Sequence, residues 1–160
     1  MNGGHDGTND VIVASTSGPL SGEVTVPGAK NSVLKLMAAT LLAEGRFVLT
    51  NAPVIADVEI MADLLRAVGL VITLAPPAPG ETGRHIEIVN NGNITPVAPF
   101  ELADRIRASV NLVGPLLGRF GSVDIGLPGG DDFGGRPIDM HLRGLEAMGA
   151  EFRVTSSGVV

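Results

Sequence analysis

Cysteine, tryptophan and tyrosine are all absent from this chain of 160 residues, and five phenylalanines are its only aromatic residues. Without cysteine there can be no disulfide, no thiolate metal site and no thiol nucleophile. With so few rings the core must be built from Leu, Val, Ile, Ala and Met, which suits layers of helix packed on sheet. Lys and Arg form no run, and the formal net charge is −6. That argues against nucleic acid as a partner, because binding to a phosphate backbone needs a basic face. No apolar stretch approaches membrane-spanning length. The opening MNGGHDGTND is polar and acidic, without the apolar centre of a signal peptide. A soluble cytoplasmic protein with no membrane partner is the expectation. An anionic small molecule stays compatible with the net charge, since a few cations converging in a cleft act locally.

What is present suits one α/β domain. The chain is 44% hydrophobic and 18% charged, enough apolar material for a real core. Residues 1–10 read as a flexible leader and 11–160 as the folded part. A short strand at Val11–Ala14 and an alternating strand at Gly22–Val26 precede the break Pro27-Gly28-Ala29-Lys30-Asn31. Ser32–Ala43 then reads as a helix, apolar on most sides and ended by Gly45. A strand at Phe47–Leu49 follows, and Asp57 stands where an N-cap belongs for an amphipathic helix over Val58–Val68. Strands at Val71–Leu74 and Ile86–Val89 flank a loop rich in Pro and Gly. The order then returns: a mostly apolar helix at Arg107–Leu117, a strand at Val123–Leu127, a Gly/Asp-rich loop, a helix opened by Arg136-Pro137-Ile138-Asp139, and a strand at Phe152–Val154. "SVLKLMAATLLAEGRFVL" and "SVNLVGPLLGRFGSVDI" share their landmarks at a period of roughly 80 residues, longer than solenoid repeats. The pattern is a tandem helix-strand-helix-strand unit, present twice. Helices Ser32–Ala43 and Arg107–Leu117 are expected to be the buried pair, with Val58–Val68 and Ile138–Met148 more exposed.

Three places could carry chemistry. Lys30 and Asn31 lie between a strand and a helix start, where free backbone N–H groups, the helix dipole and a mobile ammonium suit a phosphate or carboxylate. The plainer reading is a surface turn with a solvated lysine. Arg107 occupies the matching place in the second unit, pointing into a cleft or pairing with a carboxylate to secure the fold. The segment "LPGGDDFGGRP" has four glycines in seven positions, two acids and Arg136 beside a helix start. It could be a lid bearing a general acid. It lacks the Gly-Lys-Ser/Thr of a nucleotide loop. Adjacent acids such as Asp131 and Asp132 in a Gly loop are usually turn formers, so neither metal nor cofactor is expected.

Taken together, "GEVTVPGAKNSVLKLMAATLLAEG", "RIRASVNLVGPLLGRFG" and "LPGGDDFGGRPIDMHLRGLEAMGAEF" resemble the UDP-N-acetylglucosamine 1-carboxyvinyltransferases. The resemblance runs from about Pro19 to Val160 with spacing kept throughout. It implies an inside-out α/β barrel of two domains, built from six such units with substrates between the domains. This chain would hold two of the three units of one domain, and the second domain's Asp and Arg residues are absent from it. The implied partners are phosphoenolpyruvate and UDP-N-acetylglucosamine, in the first committed step of peptidoglycan synthesis, on which cell shape and division depend.

Residue by residue, the resemblance implies that Lys30 and Asn31 contact the substrates and that Arg107 and Arg136 bind phosphoenolpyruvate. Arg136, Pro137 and Asp139 would line the uridine pocket. The family's loop usually carries a Cys after Leu-Pro-Gly-Gly, whereas Asp131 stands there in this chain, as in mycobacterial relatives. Asp131 would then be the loop acid, and a carboxylate in place of a thiolate implies resistance to alkylation by fosfomycin. A shikimate 3-phosphate enolpyruvyl transferase is the related alternative, but its first turn usually reads Lys-Ser with an Arg soon after, and here no Arg precedes Arg46. The other alternative is an inactive remnant, or a piece that depends on a partner. A partial barrel of this kind is expected to self-associate through an uncovered sheet face.

Overall fold

In a computed structural model, residues 13–126, 128–129 and 137–153 are described. Residues 13–27 run exposed and without regular structure, with Val24 88% and Val26 75% exposed. The alternating strand expected at Gly22–Val26 is thus not formed. A strand needs a neighbour to take its N–H and C=O groups, and among the described residues none lies beside this segment.

Gly28 begins the ordered part. Its N–H donates to the Asn51 carbonyl at 3.0 Å. A Cβ at position 28 would sit inside the contact distance of that same oxygen, so the close approach requires glycine. From this anchor α1 (Lys30–Ala39) starts directly, followed by a 3₁₀ turn, Thr40–Leu42. β1 (Gly45–Ala52), α2 (Ala56–Ala67), β2 (Val71–Ala75) and β3 (Arg84–Asn90) complete the first unit. β3 lies between β1 and β2 and is antiparallel to both. The register puts Phe47, Leu49, Ile72, Leu74, Ile86 and Ile88 on the helix side, where Ile86 and Ile88 have no exposure. The outer side is mixed: Val48, Val71 and Val89 alternate with Arg46, Thr73 and Glu87.

Sequence and packing disagree about which helix is deepest. α2 was expected to be the more exposed, yet Val58, Met61, Ala62, Leu64 and Leu65 all have 0% exposure. Their spacing draws one stripe, and α1, β2 and the second unit all pack on this helix. Burying each of the large ones contributes roughly 1.5–3 kcal/mol. α1 buries only Val33, Leu34, Met37 and Ala38, leaving Leu36 53% exposed. An all-round apolar composition does not bury a helix when neighbours cover one face of it. The C-terminal end of α2 is tied to the sheet by Arg66, which donates to the Ile72 carbonyl at 2.8 Å and pairs with Asp63.

The second unit comprises β4 (Val97–Ala98), α3 (Phe100–Ala103), a 3₁₀ helix at Arg107–Leu112, α4 (Val113–Phe120), β5 (Asp124–Ile125) and α5 (Asp139–Glu146). β4 and β5 pair in parallel. The single helix expected over Arg107–Leu117 is split between Leu112 and Val113. Pro115 provides the reason: it has no N–H to bond back to Asn111, and it is tolerated in a first turn, where that donor would be unpaired anyway. α5 has no buried residue, in line with the expectation that it is one of the more exposed helices. Phe152 and Arg153 are not in a strand. The units are joined by packing of the second 3₁₀ helix on α1 and α2. Arg119 adds to the joint, donating to the Leu41 carbonyl at 2.8 Å and pairing with Glu44. No helix among the described residues is long and apolar enough to cross a membrane.

Candidate functional site

At the seam between the two units lies a cleft of about 660 Å³. One wall is the start of α1 (Lys30, Asn31, Leu34, Lys35), another the start of α2 (Ala56, Asp57, Ile60), and the third is 105–111 of the second unit. Four cationic side chains, Lys30, Lys35, Arg105 and Arg107, line it against one carboxylate, Asp57. In a chain of net charge −6 this is a local reversal of sign, the footprint of a site for an anion.

The local sequence explains each placement. Gly28, held on Asn51, fixes where α1 begins, so Lys30 and Asn31 fall in its first turn, where N–H groups and the positive end of the dipole face outward. No side chain caps that turn. Asp57 is not the N-cap that its position suggested. Ile55 caps α2, and Asp57 sits in the first turn with its carboxylate 2.8 Å from the Lys30 ammonium. The Lys35 ammonium reaches the Asn31 carbonyl at 3.4 Å, a weak contact. Arg107 opens the 3₁₀ helix directly after the extended residue Ile106.

Beyond this geometry stands the sequence likeness to known proteins. The family model described as EPSP synthase (3-phosphoshikimate 1-carboxyvinyltransferase) matches residues 14–160. The chain belongs to the EPSP synthase family. Within that family its curated relatives include the UDP-N-acetylglucosamine 1-carboxyvinyltransferases of Mycobacterium leprae, 47% identical over 149 residues, and Cellvibrio japonicus, 44% identical over 146. These matches cover 93% and 91% of the chain but 34% and 33% of the relatives. The chain therefore spans about a third of their length. The solved structure of the enolpyruvyl transferase NikO from Streptomyces tendae superimposes with a TM-score of 0.68 at 22% identity, over 88% of this chain and 29% of that one. At that identity the likeness is one of fold.

For this EPSP synthase family chain, the cleft brings together Lys30, Asn31 and Arg107, three of the residues singled out from sequence. Pro137 and Asp139 are not among its lining. They stand at the start of α5, where Asp139 pairs with Arg143 at 3.1 Å. A second, apolar hollow of about 410 Å³ separates α5 from the 3₁₀ helix, and Val110 and Asn111 line both. Asp131 and Arg136 lie outside the described residues. The root of their loop does not: Gly129 packs so closely on the Asp104 backbone that a Cβ there would strike its carbonyl. Asp104 adjoins Arg105, at the edge of the cleft.

Sequence reasoning missed Lys35, Arg105 and the pairing role of Asp57. One signal was there: Lys35 follows Asn31 by four positions and so shares its helix side, whereas Arg105 sits in a turn before Arg107 and no periodicity links the two. Among the described residues no three His, Asp or Glu side chains converge as a metal site would require.

Proposed function

We propose that this chain forms the phosphoenolpyruvate-facing part of a cytoplasmic enolpyruvyl transferase whose acceptor is UDP-N-acetylglucosamine, placing it in peptidoglycan synthesis. The cleft that gathers Lys30, Asn31 and Arg107 is the observation that carries the reading. The two relatives named above, at 44% and 47% identity, support this acceptor. The family description alone, which names 3-phosphoshikimate, would favour another.

The reaction is an addition followed by an elimination. The sugar 3-hydroxyl gives its proton to a base and its oxygen bonds to C2 of phosphoenolpyruvate while an acid delivers a proton to C3, giving a tetrahedral ketal. Loss of a C3 proton and expulsion of phosphate then restore the double bond on the transferred group. The phosphate and carboxylate are charged throughout, and expulsion of phosphate adds further negative charge to the leaving group. Preorganised cations that need not reorient as the charge develops lower the barrier most. Lys30, Arg107 and Arg136 take that role, with Asn31 holding substrate beside them. Asp131 supplies the C3 proton, and closure that strips water from its carboxyl raises its affinity for that proton. Pro137 and Asp139 shape the uridine end, and the remaining acid–base groups belong to a second domain.

A phosphate-release assay tests this. The full-length protein, given phosphoenolpyruvate and UDP-N-acetylglucosamine, is expected to release phosphate only with both present. Release with shikimate 3-phosphate in place of the nucleotide sugar would reassign the acceptor, and release with neither acceptor present would refute transfer.

A further inference from the structure

Two of the four cations in the cleft have no part in the reaction just described. Lys35 lies on α1 beyond Asn31, and its one hydrogen bond among the described residues is the 3.4 Å contact with the Asn31 carbonyl. Arg105 stands on the opposite wall, exposed, with no side-chain hydrogen bond or ion pair among the described residues. Five other arginines are engaged: Arg46 with Glu87, Arg66 with Asp63, Arg84 with Glu59, Arg119 with Glu44, Arg143 with Asp139. Arg105 differs from these five in having no carboxylate of its own among the described residues, while it faces a cleft that holds three further cations. The acids facing this pair are Asp57, already bound to Lys30, and Asp104 beside the root of the glycine-rich loop.

We propose that Lys35 and Arg105 form an outer cationic rim that captures the anionic substrate and guides it inward to Lys30 and Arg107. This rests on the anion-binding reading of the cleft and adds to it residues outside the reacting centre. A cleft lined by one sign of charge, with low-dielectric walls, focuses field lines and raises association rates by about 10- to 1000-fold when fully charged. Such an effect acts on encounter and not on the chemical step. It is screened once the Debye length, about 10 Å at 0.1 M salt, falls below the span of the cleft. The rim suits a ligand with more than one anionic group, such as a diphosphate, because the outer pair can hold one group while the inner pair holds another.

The test uses the full-length enzyme with Lys35→Gln, Arg105→Gln and the double variant, each assayed across a series of salt concentrations. Arg153→Gln, at an exposed position outside the cleft, controls for net charge. Each single variant should lose about three-fold in kcat/KM at low salt, and the double about ten-fold. kcat should stay unchanged, and the loss should close near 0.5 M salt. Lys35→Arg and Arg105→Lys should behave as wild type, because steering needs charge and not a particular donor geometry. A salt dependence unaltered in the double variant, matching Arg153→Gln, would overturn the proposal. So would a fall in kcat, which would place these side chains at the reacting groups. Calorimetric binding of inorganic pyrophosphate to the same variants separates the two readings. If wild type shows no turnover yet binds pyrophosphate more weakly without the rim, the activity is wrong and the rim stands.

Discussion

The Lys30 ammonium lies 2.8 Å from the Asp57 carboxylate, across the gap between the first turns of α1 and α2. Each group answers the other, and Asp57 also sits favourably at the positive end of its own helix. Lys30 is therefore held at the cleft while staying half-exposed and within reach of a second anion. Lys30→Ala in the full-length enzyme is expected to lower kcat/KM by about 100-fold, through lost stabilisation of developing charge. Asp57→Asn keeps a hydrogen-bond acceptor and should fold normally, with a raised KM and a smaller effect on kcat. Steady-state kinetics and a thermal melt check both, and an Ala variant within a few-fold of wild type would remove Lys30 from the mechanism.

Arg107→Ala and Arg136→Ala should each cost about 100-fold or more in kcat/KM with phosphoenolpyruvate. Lysine at either position should recover only part of this, because an ammonium lacks the planar, two-pronged donor geometry that grips a phosphate or carboxylate. Near-normal kinetics in both Ala variants would refute the assignment.

Asp131 gives the sharpest chemical forecast. A carboxylate is a poor nucleophile toward an epoxide, and the chain offers no thiol instead. Full-length enzyme should resist fosfomycin, and Asp131→Cys should become sensitive while remaining active. The acid limb of its pH profile should then move toward the thiol's pKa. Asp131→Asn should lose most turnover, since the amide has no proton to give. Rapid inactivation of the wild type, or an Asn variant as active as Asp, would disprove the role.

Ser109 is fully buried, and its hydroxyl has no hydrogen-bond partner among the described residues. Ser109→Ala removes an unsatisfied polar atom and should be neutral or stabilising by up to about 1 kcal/mol. Thermal unfolding checks this, and a clear drop in Tm would show that the hydroxyl is bonded after all.

Between β1 and β3, Arg46 donates two hydrogen bonds to Glu87, at 2.7 and 2.8 Å. These bonds chiefly, with help from the Arg46 charge and against a desolvation cost, hold the Glu87 carboxyl below its ordinary pKa. Its contribution to stability is thus complete above the ordinary carboxylate range and is lost as pH falls through the lowered folded value. Glu87→Gln should melt slightly earlier than wild type at neutral pH, and the two should converge in acid. A gap that widens on acidification would contradict the pairing.

Much of this was legible in the sequence where short-range signals decide. The apolar stripe of α2 and the turn around Gly69 placed that helix, and the three motifs pointed to Lys30, Asn31 and Arg107 together. Properties set by neighbours were not legible. Val24 and Val26 alternate like a strand but have no strand beside them among the described residues. Leu36 looks like core, yet the packing leaves it exposed. Asp57 has the position of a cap and is claimed by a lysine 27 residues away in the chain. Arg105 stands two residues from Arg107, yet its place on the cleft was not legible, because the facing wall is contributed by the other unit.

The cleft has no complete wall within either unit: α1 and α2 come from the first, and residues 105–111 from the second. A ligand seated there becomes part of the joint that Arg119, the packed 3₁₀ helix and the contacts of α3 and α4 otherwise hold. At a hundred times its dissociation constant, a ligand confined to the docked form adds about 2.7 kcal/mol to the stability of that form. On the anion-binding reading of the cleft, such a ligand should raise the Tm and slow proteolysis at the seam between the units.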